Sequence, residues 1–318
     1  MADAGGWSTI ESDEGVFTSL VENLGVQGIQ FEELISLDPD TIRSLGTVYG
    51  VIFLFKYLRP QATSSTSQPQ DGTQTDPSTL PSSFFFANQT IQNACGTQAI
   101  LSVLLNHDSA TPENNNTPIT LGAELSSFKD FTTGFPSDLR GEALSNSEAI
   151  RTAHNAFARA SPFVDETSRP QNDDEEGDVY HFIAYTPING TLYELDGLQA
   201  NPISHGACDA GSFPERVIEV LQRRIARYPE TETRFNLMAV VKDLRMRAQE
   251  LGDVEALRVE ERKRAAWAWE NSLRRSNFVG FIGEVLKGVT AMKEEEGRSA
   301  VDDWVKKAEG ETARRLRR

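Results

Sequence analysis

Tyr180-His181-Phe182-Ile183-Ala184-Tyr185-Thr186-Pro187-Ile188-Asn189-Gly190-Thr191-Leu192-Tyr193-Glu194-Leu195-Asp196 is two β-rich runs folded about an Asn-Gly pair. Asn and Gly tolerate the positive φ that a two-residue type I′ turn demands, so this stretch predicts a tight antiparallel hairpin. A two-residue turn pairs Ile188 with Thr191. It then puts Ile183 opposite Asp196 and His181 opposite Leu198. His181 and Asp196 become diagonal neighbours on one face, about 7–8 Å apart at Cα, close enough for an imidazole and a carboxylate to hydrogen-bond. A histidine in the middle of a strand is otherwise a packing residue. Its predicted Asp partner is what raises the catalytic reading.

Working back from the hairpin, residues 161–178 hold Pro162, Pro170 and a run of acids between Asp173 and Asp178, which reads as a long loop leading into the His181 strand. A helical region spans about 120–160, interrupted by Gly134-Phe135-Pro136. Before it, Cys95 opens an apolar helical pattern over 95–106 with Ala99, Leu101, Val103, Leu104 and Leu105, a central helix. Gln89 stands six residues ahead of Cys95. A helix start and a neighbouring imidazole both favour a thiolate. Gly96 leaves room for a substrate backbone. Taken alone, a single cysteine is more often a buried structural residue. With Gln89 as an oxyanion donor, His181 as base and Asp196 as its orienter, Cys95 completes the set needed for a thiol hydrolase, in the chain order that papain-like proteases use. Cys208 follows a turn and reads as structural. His107, His154 and His205 have no comparable partner and read as surface or packing residues.

Near the start, Val48-Tyr49-Gly50-Val51-Ile52-Phe53-Leu54-Phe55 reads as a buried strand. Residues 60–83 are rich in Ser, Thr, Gln, Pro and Gly and read as a disordered surface insertion. A helix at about 213–228 and a strand at 235–241 complete a body ending near residue 243. Residues 244–318 then change character to a Glu/Arg/Lys/Ala-rich helical tail. Within it, Phe278, Phe281, Ile282, Val285, Leu286 and Val289 form an apolar face behind Asn277 as N-cap, and Val301, Trp304 and Val305 repeat the pattern. Such faces serve either packing or docking. The charged stretch 244–275 is expected to hold them away from the active site.

Composition narrows the function classes. A formal net charge of −16 over 318 residues argues against nucleic acid as a main partner and suits a basic one. Two cysteines make no disulfide framework, the first residues carry no basic and apolar signal, and no apolar run has the length of a membrane span. A reducing compartment without a membrane partner is the expectation. No cofactor or metal is called for.

Two stretches resemble a known family. Asn-Gln-x5-Cys-Gly-Thr-Gln-Ala at 88–99 and His-x-Ile-Ala-Tyr-x-Pro-Ile-Asn-Gly-x-Leu-Tyr-Glu-Leu-Asp-Gly-Leu at 181–198 look like the ubiquitin C-terminal hydrolases. So do Gly6-Trp7-x-Thr9-Ile10-Glu11-Ser12-Asp13 and Arg234-Phe235-Asn236-Leu237-Met238-Ala239-Val240. Pattern alone gives α+β or α/β. The resemblance implies an α+β fold, an antiparallel sheet flanked by helices with a papain-like site, and a catalytic domain over 1–243. It implies Cys95 as nucleophile, His181 as general base and then acid, Asp196 as orienter, Gln89 in the oxyanion hole, and 161–178 as the crossover loop that limits leaving-group size. Residues 277–287 are similar to the C-terminal extension of the proteasome-associated subgroup. That implies ubiquitin as substrate, docking on a proteasomal ubiquitin receptor, and a cytoplasmic and nuclear location. The rival readings are a hydrolase of another ubiquitin-like modifier and a catalytically silent ubiquitin-binding scaffold.

Overall fold

The computed structural model describes residues 6–56, 71–91, 93–108, 119–158, 180–276, 278–297 and 300–315. The crossover-loop expectation at 161–178 lies outside them. Two compact units separate near residue 275.

The larger unit is built on a seven-stranded antiparallel sheet: β1 (Ile29–Glu33), β2 (Val48–Lys56), β3 (Thr73–Gln74), β4 (Tyr180–Ile188), β5 (Thr191–Leu195), β6 (Ile203–Ala207) and β7 (Asn236–Lys242). Its spatial order is β1-β7-β2-β4-β5-β6-β3. β2 is central because its side chains suit two buried faces: Tyr49 and Ile52 enter one core, Val51, Phe53 and Phe55 the other. Helix α3 (Cys95–Leu104) packs on β4 within the first core, with Ile100, Leu101, Val103 and Leu104 fully buried. Helix α7 (Phe213–Ile225) covers the second core through Phe213, Val217 and Leu221.

Some of the remaining helices start where the sequence supplies a cap. Asp13 accepts from the Val16 amide at α1 (Glu14–Asn23), and Asp38 precedes Pro39 at α2 (Pro39–Ser44). The region at 120–160 is three helices, α4 (Gly122–Thr132), α5 (Ser137–Asn146) and α6 (Glu148–Asn155). The break at Gly134 is the predicted one, and Ser147 both ends α5 and caps α6.

Three expectations change. The hairpin forms in the predicted register, Ile188 with Thr191 through Ala184 with Leu195, but the ladder stops there. His181 instead lies opposite Phe55 of β2. Second, the stretch 60–83 is not all insertion: Thr73–Gln74 is the edge strand β3, paired with Ser204 and Ile203 of β6. Two polar residues carry no hydrophobic periodicity, so only backbone bonding announces that strand. Residues 57–70 lie outside the described ones. Third, the change of composition at 243 is not a break in packing. Helices α8 (Leu244–Leu251) and α9 (Val254–Arg275) belong to the larger unit.

A few side chains seat α9. Trp267 is 6% exposed and lies against Gly15, where an added Cβ would come within 2.6 Å of the Trp267 ring. Asn271 donates to the Gly15 carbonyl at 3.0 Å and Ser19 at 2.9 Å. Arg274 bridges Glu11 and Asp13, at 3.1 and 2.8 Å. Trp267→Ala is expected to lower unfolding free energy by about 3–5 kcal/mol, the range for deleting a buried tryptophan, measured by denaturant titration. A loss under about 1 kcal/mol shows that α9 is not anchored there.

The smaller unit holds α10 (Val279–Glu296) and α11 (Ala300–Arg315), which touch each other. Phe278, Phe281, Ile282, Val285 and Leu286 all remain at least 40% exposed. Helix α10 begins after Phe278 without a side-chain cap, and the proposed cap Asn277 lies outside the described residues.

Candidate active site

Cys95 is the first residue of α3 and is half-buried. The unpaired amides of a helix's first turn favour an anion at that end. Gly96 is buried, and a Cβ built on it would sit at ordinary contact, 3.5 Å, from Phe182, with Ile10 at 3.8 Å. This glycine therefore faces the protein's own side chains and does not make the room for substrate that the sequence suggested.

His181, one residue into β4, is almost wholly buried. It forms a hydrogen bond from Nε2 to Asp196 Oδ1 at 2.7 Å, and its ring also interacts with the Cys95 side chain. The Phe55 ring meets it edge-on, centroids 5.8 Å apart. Burial works against the charged imidazole, but the Asp196 and Cys95 hydrogen bonds and their charges outweigh it and raise its pKa to about 9. Asp196 is buried too, which would raise its carboxyl. Its bonds to His181 and to the Leu198 amide, 2.9 Å away, hold it below the usual carboxylate range. Thiol, imidazole and carboxylate thus stand in a line, supplied by α3, β4 and the turn after β5.

Gln89 lies in the extended approach to α3. Its amide N–H donates to the Gly197 carbonyl at 2.7 Å and its side-chain Nε2 to the Ile91 carbonyl at 3.0 Å. Its Oε1 is buried without a partner among the described residues. An amide nitrogen carries two protons, so one donor remains after the Ile91 bond. Gly197 closes the arrangement. A Cβ there would fall closer than 3.0 Å to Gln98 Nε2 and at 3.1 Å from Gln89 Cβ. Gln98 itself donates to the Ala87 carbonyl at 2.5 Å, and Asn88 to the Gln199 carbonyl at 2.7 Å. Sequence reading missed the supporting parts Gly197, Gln98, Asn88 and Phe55. The Gly directly after Asp196 was the available signal.

The other histidines are buried, which agrees with their reading as packing residues rather than surface ones, but they are partnered, which corrects the rest of it. His107 bonds Thr186 Oγ1 at 2.7 Å, and His154 bonds Thr97 Oγ1 at 2.7 Å and the Ser8 carbonyl at 2.6 Å. His205 has a carboxylate of its own, Glu194, at 3.0 Å. Those partners come from distant residues and show no local pattern. Cys208 is buried, and burial pushes its thiol up to about 11, which fits a structural role. Among the described residues no group of His, Cys, Asp and Glu is arranged to hold a metal ion, and no helix is long and apolar enough to cross a membrane.

Two histidines couple stability to pH with opposite signs. Burial, then Lys129, depresses His107 to about 4. The unfolded chain takes a proton below about 6.5 and the folded one only below about 4, so stability falls as pH drops between those values, by about 3 kcal/mol in all. His181, raised to about 9, adds stability that is complete below about 6.5 and lost as pH rises through 9. Denaturation midpoints for wild type and His107→Gln at pH 7.5 and 5 check the first: the wild type is expected to lose more. Equal losses refute it.

Residues 7–226 match the family described as ubiquitin carboxyl-terminal hydrolase, family 1, and residues 252–294 match a second description, ubiquitin carboxyl-terminal hydrolases. Ubiquitin carboxyl-terminal hydrolase 2 of Schizosaccharomyces pombe is 50% identical over 287 residues, covering 88% of this chain and 90% of that protein. Ubiquitin carboxyl-terminal hydrolase ubh-4 of Caenorhabditis elegans is 37% identical over 306 residues, covering 90% and 88%. Among solved structures, Trichinella spiralis UCH37 bound to ubiquitin vinyl methyl ester is similar at a TM-score of 0.61 and 33% identity, over 84% of this chain and 99% of that one.

Proposed function

Because this chain belongs to the ubiquitin carboxyl-terminal hydrolase family, and is a cysteine deubiquitinase, we propose that Cys95 is its nucleophile, His181 its proton carrier, Asp196 the orienter of that imidazole and Gln89 a donor to the oxyanion. The observation that carries the assignment is the His181 ring, hydrogen-bonded to Asp196 and interacting with the Cys95 side chain.

The steps follow from that line. The thiolate of Cys95 attacks the carbonyl carbon of ubiquitin's last glycine. The carbonyl oxygen takes the negative charge and receives hydrogen bonds from the free Gln89 N–H and the α3 backbone amide at Cys95. The His181 imidazolium gives its proton to the departing amine as the C–N bond breaks, leaving a thioester. Neutral His181 then takes a proton from water, whose oxygen attacks the thioester. Collapse returns the thiol and frees ubiquitin's carboxylate. Asp196 keeps its negative charge throughout and pins the ring. The chain's acidity suits the arginines of ubiquitin's tail.

Gln89→Ala is expected to lower kcat on a fluorogenic ubiquitin substrate by about 10²–10³, the scale for one oxyanion donor, with little change in KM. A kcat within threefold of wild type removes Gln89 from the mechanism.

The setting we propose is the proteasome, in cytoplasm and nucleus. The support is the exposed apolar face of α10 together with the residues 252–294 that match the family's second description. Phe281→Glu with Leu286→Glu should abolish binding to a purified proteasomal ubiquitin receptor while hydrolysis of a small ubiquitin adduct stays within twofold. Retained binding refutes the docking surface. Lost hydrolysis with a lowered melting temperature assigns the face to packing.

A further inference from the structure

Behind the His181–Asp196 pair lies a second buried polar group that the mechanism above does not use. Glu194 precedes Asp196 by two residues and is 4% exposed. It binds the Arg224 guanidinium of α7 through Oε1 and His205 Nε2 of β6 through Oε2. Arg224 Nη1 also reaches the Tyr185 hydroxyl of β4 at 3.5 Å. The guanidinium is stacked over the Phe55 ring, 4.5 Å from its centroid. That same ring presses edge-on against His181, its plane at 85° to the imidazole. Phe55 therefore lies between Arg224 and the catalytic ring.

The geometry points to Arg224 as a positioning residue of the hydrolase: paired with Glu194 and laid flat on Phe55, it fixes the plane of the His181 ring and balances the second carboxylate behind Asp196. The inference rests on His181 being the proton carrier.

Charge counting supports it. With His181 protonated and Cys95 a thiolate, the described charges here are two buried carboxylates, Asp196 and Glu194, and the half-buried thiolate, against His181 and Arg224. Burial would raise the Glu194 carboxyl, but Arg224 and then His205 hold it below the usual carboxylate range. Arg224 also adds, after His181 and the Leu198 amide, to what keeps Asp196 ionised. Among the described residues, Cys95 from α3 also faces the His181 ring, and behind Phe55 stands Tyr228, whose ring meets Phe55. Lys56, next along β2, interacts with Glu232. Removing the Glu194 charge alone leaves Arg224 unbalanced, 4.5 Å from the Phe55 centroid, which is itself 5.8 Å from the imidazole's, so the two charges are at most about 10 Å apart. At a protein's effective dielectric that is about one pKa unit against the protonated ring. A guanidinium stacks on an aromatic face as an ammonium does not, so lysine keeps the charge and loses the platform.

The test is the pH profile of kcat/KM on a fluorogenic ubiquitin substrate, whose basic limb reports the imidazole of the free enzyme. Glu194→Gln should move that limb down by about half a unit to one unit. Glu194→Gln with Arg224→Met removes both charges and should return it to within about 0.2 unit of wild type. Arg224→Lys should leave the limb in place and lower kcat about tenfold at constant KM. A limb that stays put in Glu194→Gln overturns the electrostatic half, and a wild-type kcat in Arg224→Lys overturns the positioning half. If Glu194→Gln does not fold, the Arg224→Lys kcat decides. Cys95→Ala is run beside them: activity there refutes the catalytic reading beneath the proposal and is told apart from a failure of Arg224.

Discussion

Asp196→Asn is expected to lower kcat for a ubiquitin C-terminal amide by about 10³–10⁴, with little change in KM. The two side chains have the same shape, but one oxygen, Oδ1, faces both His181 and the Leu198 amide, so an NH2 turned to the ring also takes the acceptor from that amide. What changes is the partner offered to His181. The carboxylate accepts from Nε2 at 2.7 Å and stabilises the imidazolium. An amide can present its NH2 group instead, which selects the tautomer with the proton on the other ring nitrogen, the one left for Cys95. That ring can no longer take the thiol's proton. Losing the carboxylate also removes the interactions with Asp196 that help lift His181 to about 9, so the basic limb of the residual activity should fall toward 6.5. Steady-state kinetics across pH, with probe binding to show that ubiquitin is still recognised, measure both effects. A kcat within tenfold of wild type shows that Asp196 does not orient the ring.

Gly141→Ala should be among the most damaging single-methyl changes in the chain. Gly141 lies in α5, and a Cβ there would fall closer than 3.0 Å to the Asn88 carbonyl oxygen, a backbone atom that cannot rotate away. The contact is held from both sides: the Asn88 amide donates to the Ser137 carbonyl at 2.8 Å and Thr90 Oγ1 to the Gly141 carbonyl at 3.3 Å. Either α5 retreats or the segment carrying Gln89 does. Overpacking of this kind costs about 3 kcal/mol, and displacement of Gln89 should lower kcat about tenfold besides. Gly96→Ala is the control. It sits beside Cys95, yet its Cβ would have only ordinary contacts, and alanine inside a helix gains up to about 1 kcal/mol over glycine. Denaturant midpoints and kcat for the two variants check the contrast. If Gly141→Ala matches wild type in both, α5 does not seat the oxyanion segment.

The hairpin and the Cys95 helix were legible in the sequence for different reasons. Asn189-Gly190 dictates a local register, so Ala184 falls opposite Leu195 without help from the rest of the chain. The residues from Cys95 to Leu105 leave little polar surface, which suits a helix buried on nearly all sides. What stayed hidden rests on partners far apart in sequence. Gly141 is an ordinary helix residue until Asn88 arrives against it. His205 looked unpartnered because Glu194 comes to it from another strand. Helix α9 has a charged, weakly amphipathic sequence, so its anchorage through Trp267, Asn271 and Arg274 leaves no periodic signal. Residues 73–74 carry nothing but backbone to identify them as a strand.

The order β1-β7-β2 has a consequence for how the protein is made. The two strands synthesised first do not touch each other, and the strand that joins them, Asn236–Lys242, is the last of the sheet to be translated. Until it emerges from the ribosome, β1 and β2 each expose an unpaired edge, and holding such edges apart is work for a chaperone. Cys95, His181 and Asp196 are all translated before then, but β2, whose Phe55 braces the imidazole, is left half paired. A nascent chain released early would therefore be a sticky fragment with a loosely held thiol, and proteolytic power would come only with nearly complete synthesis.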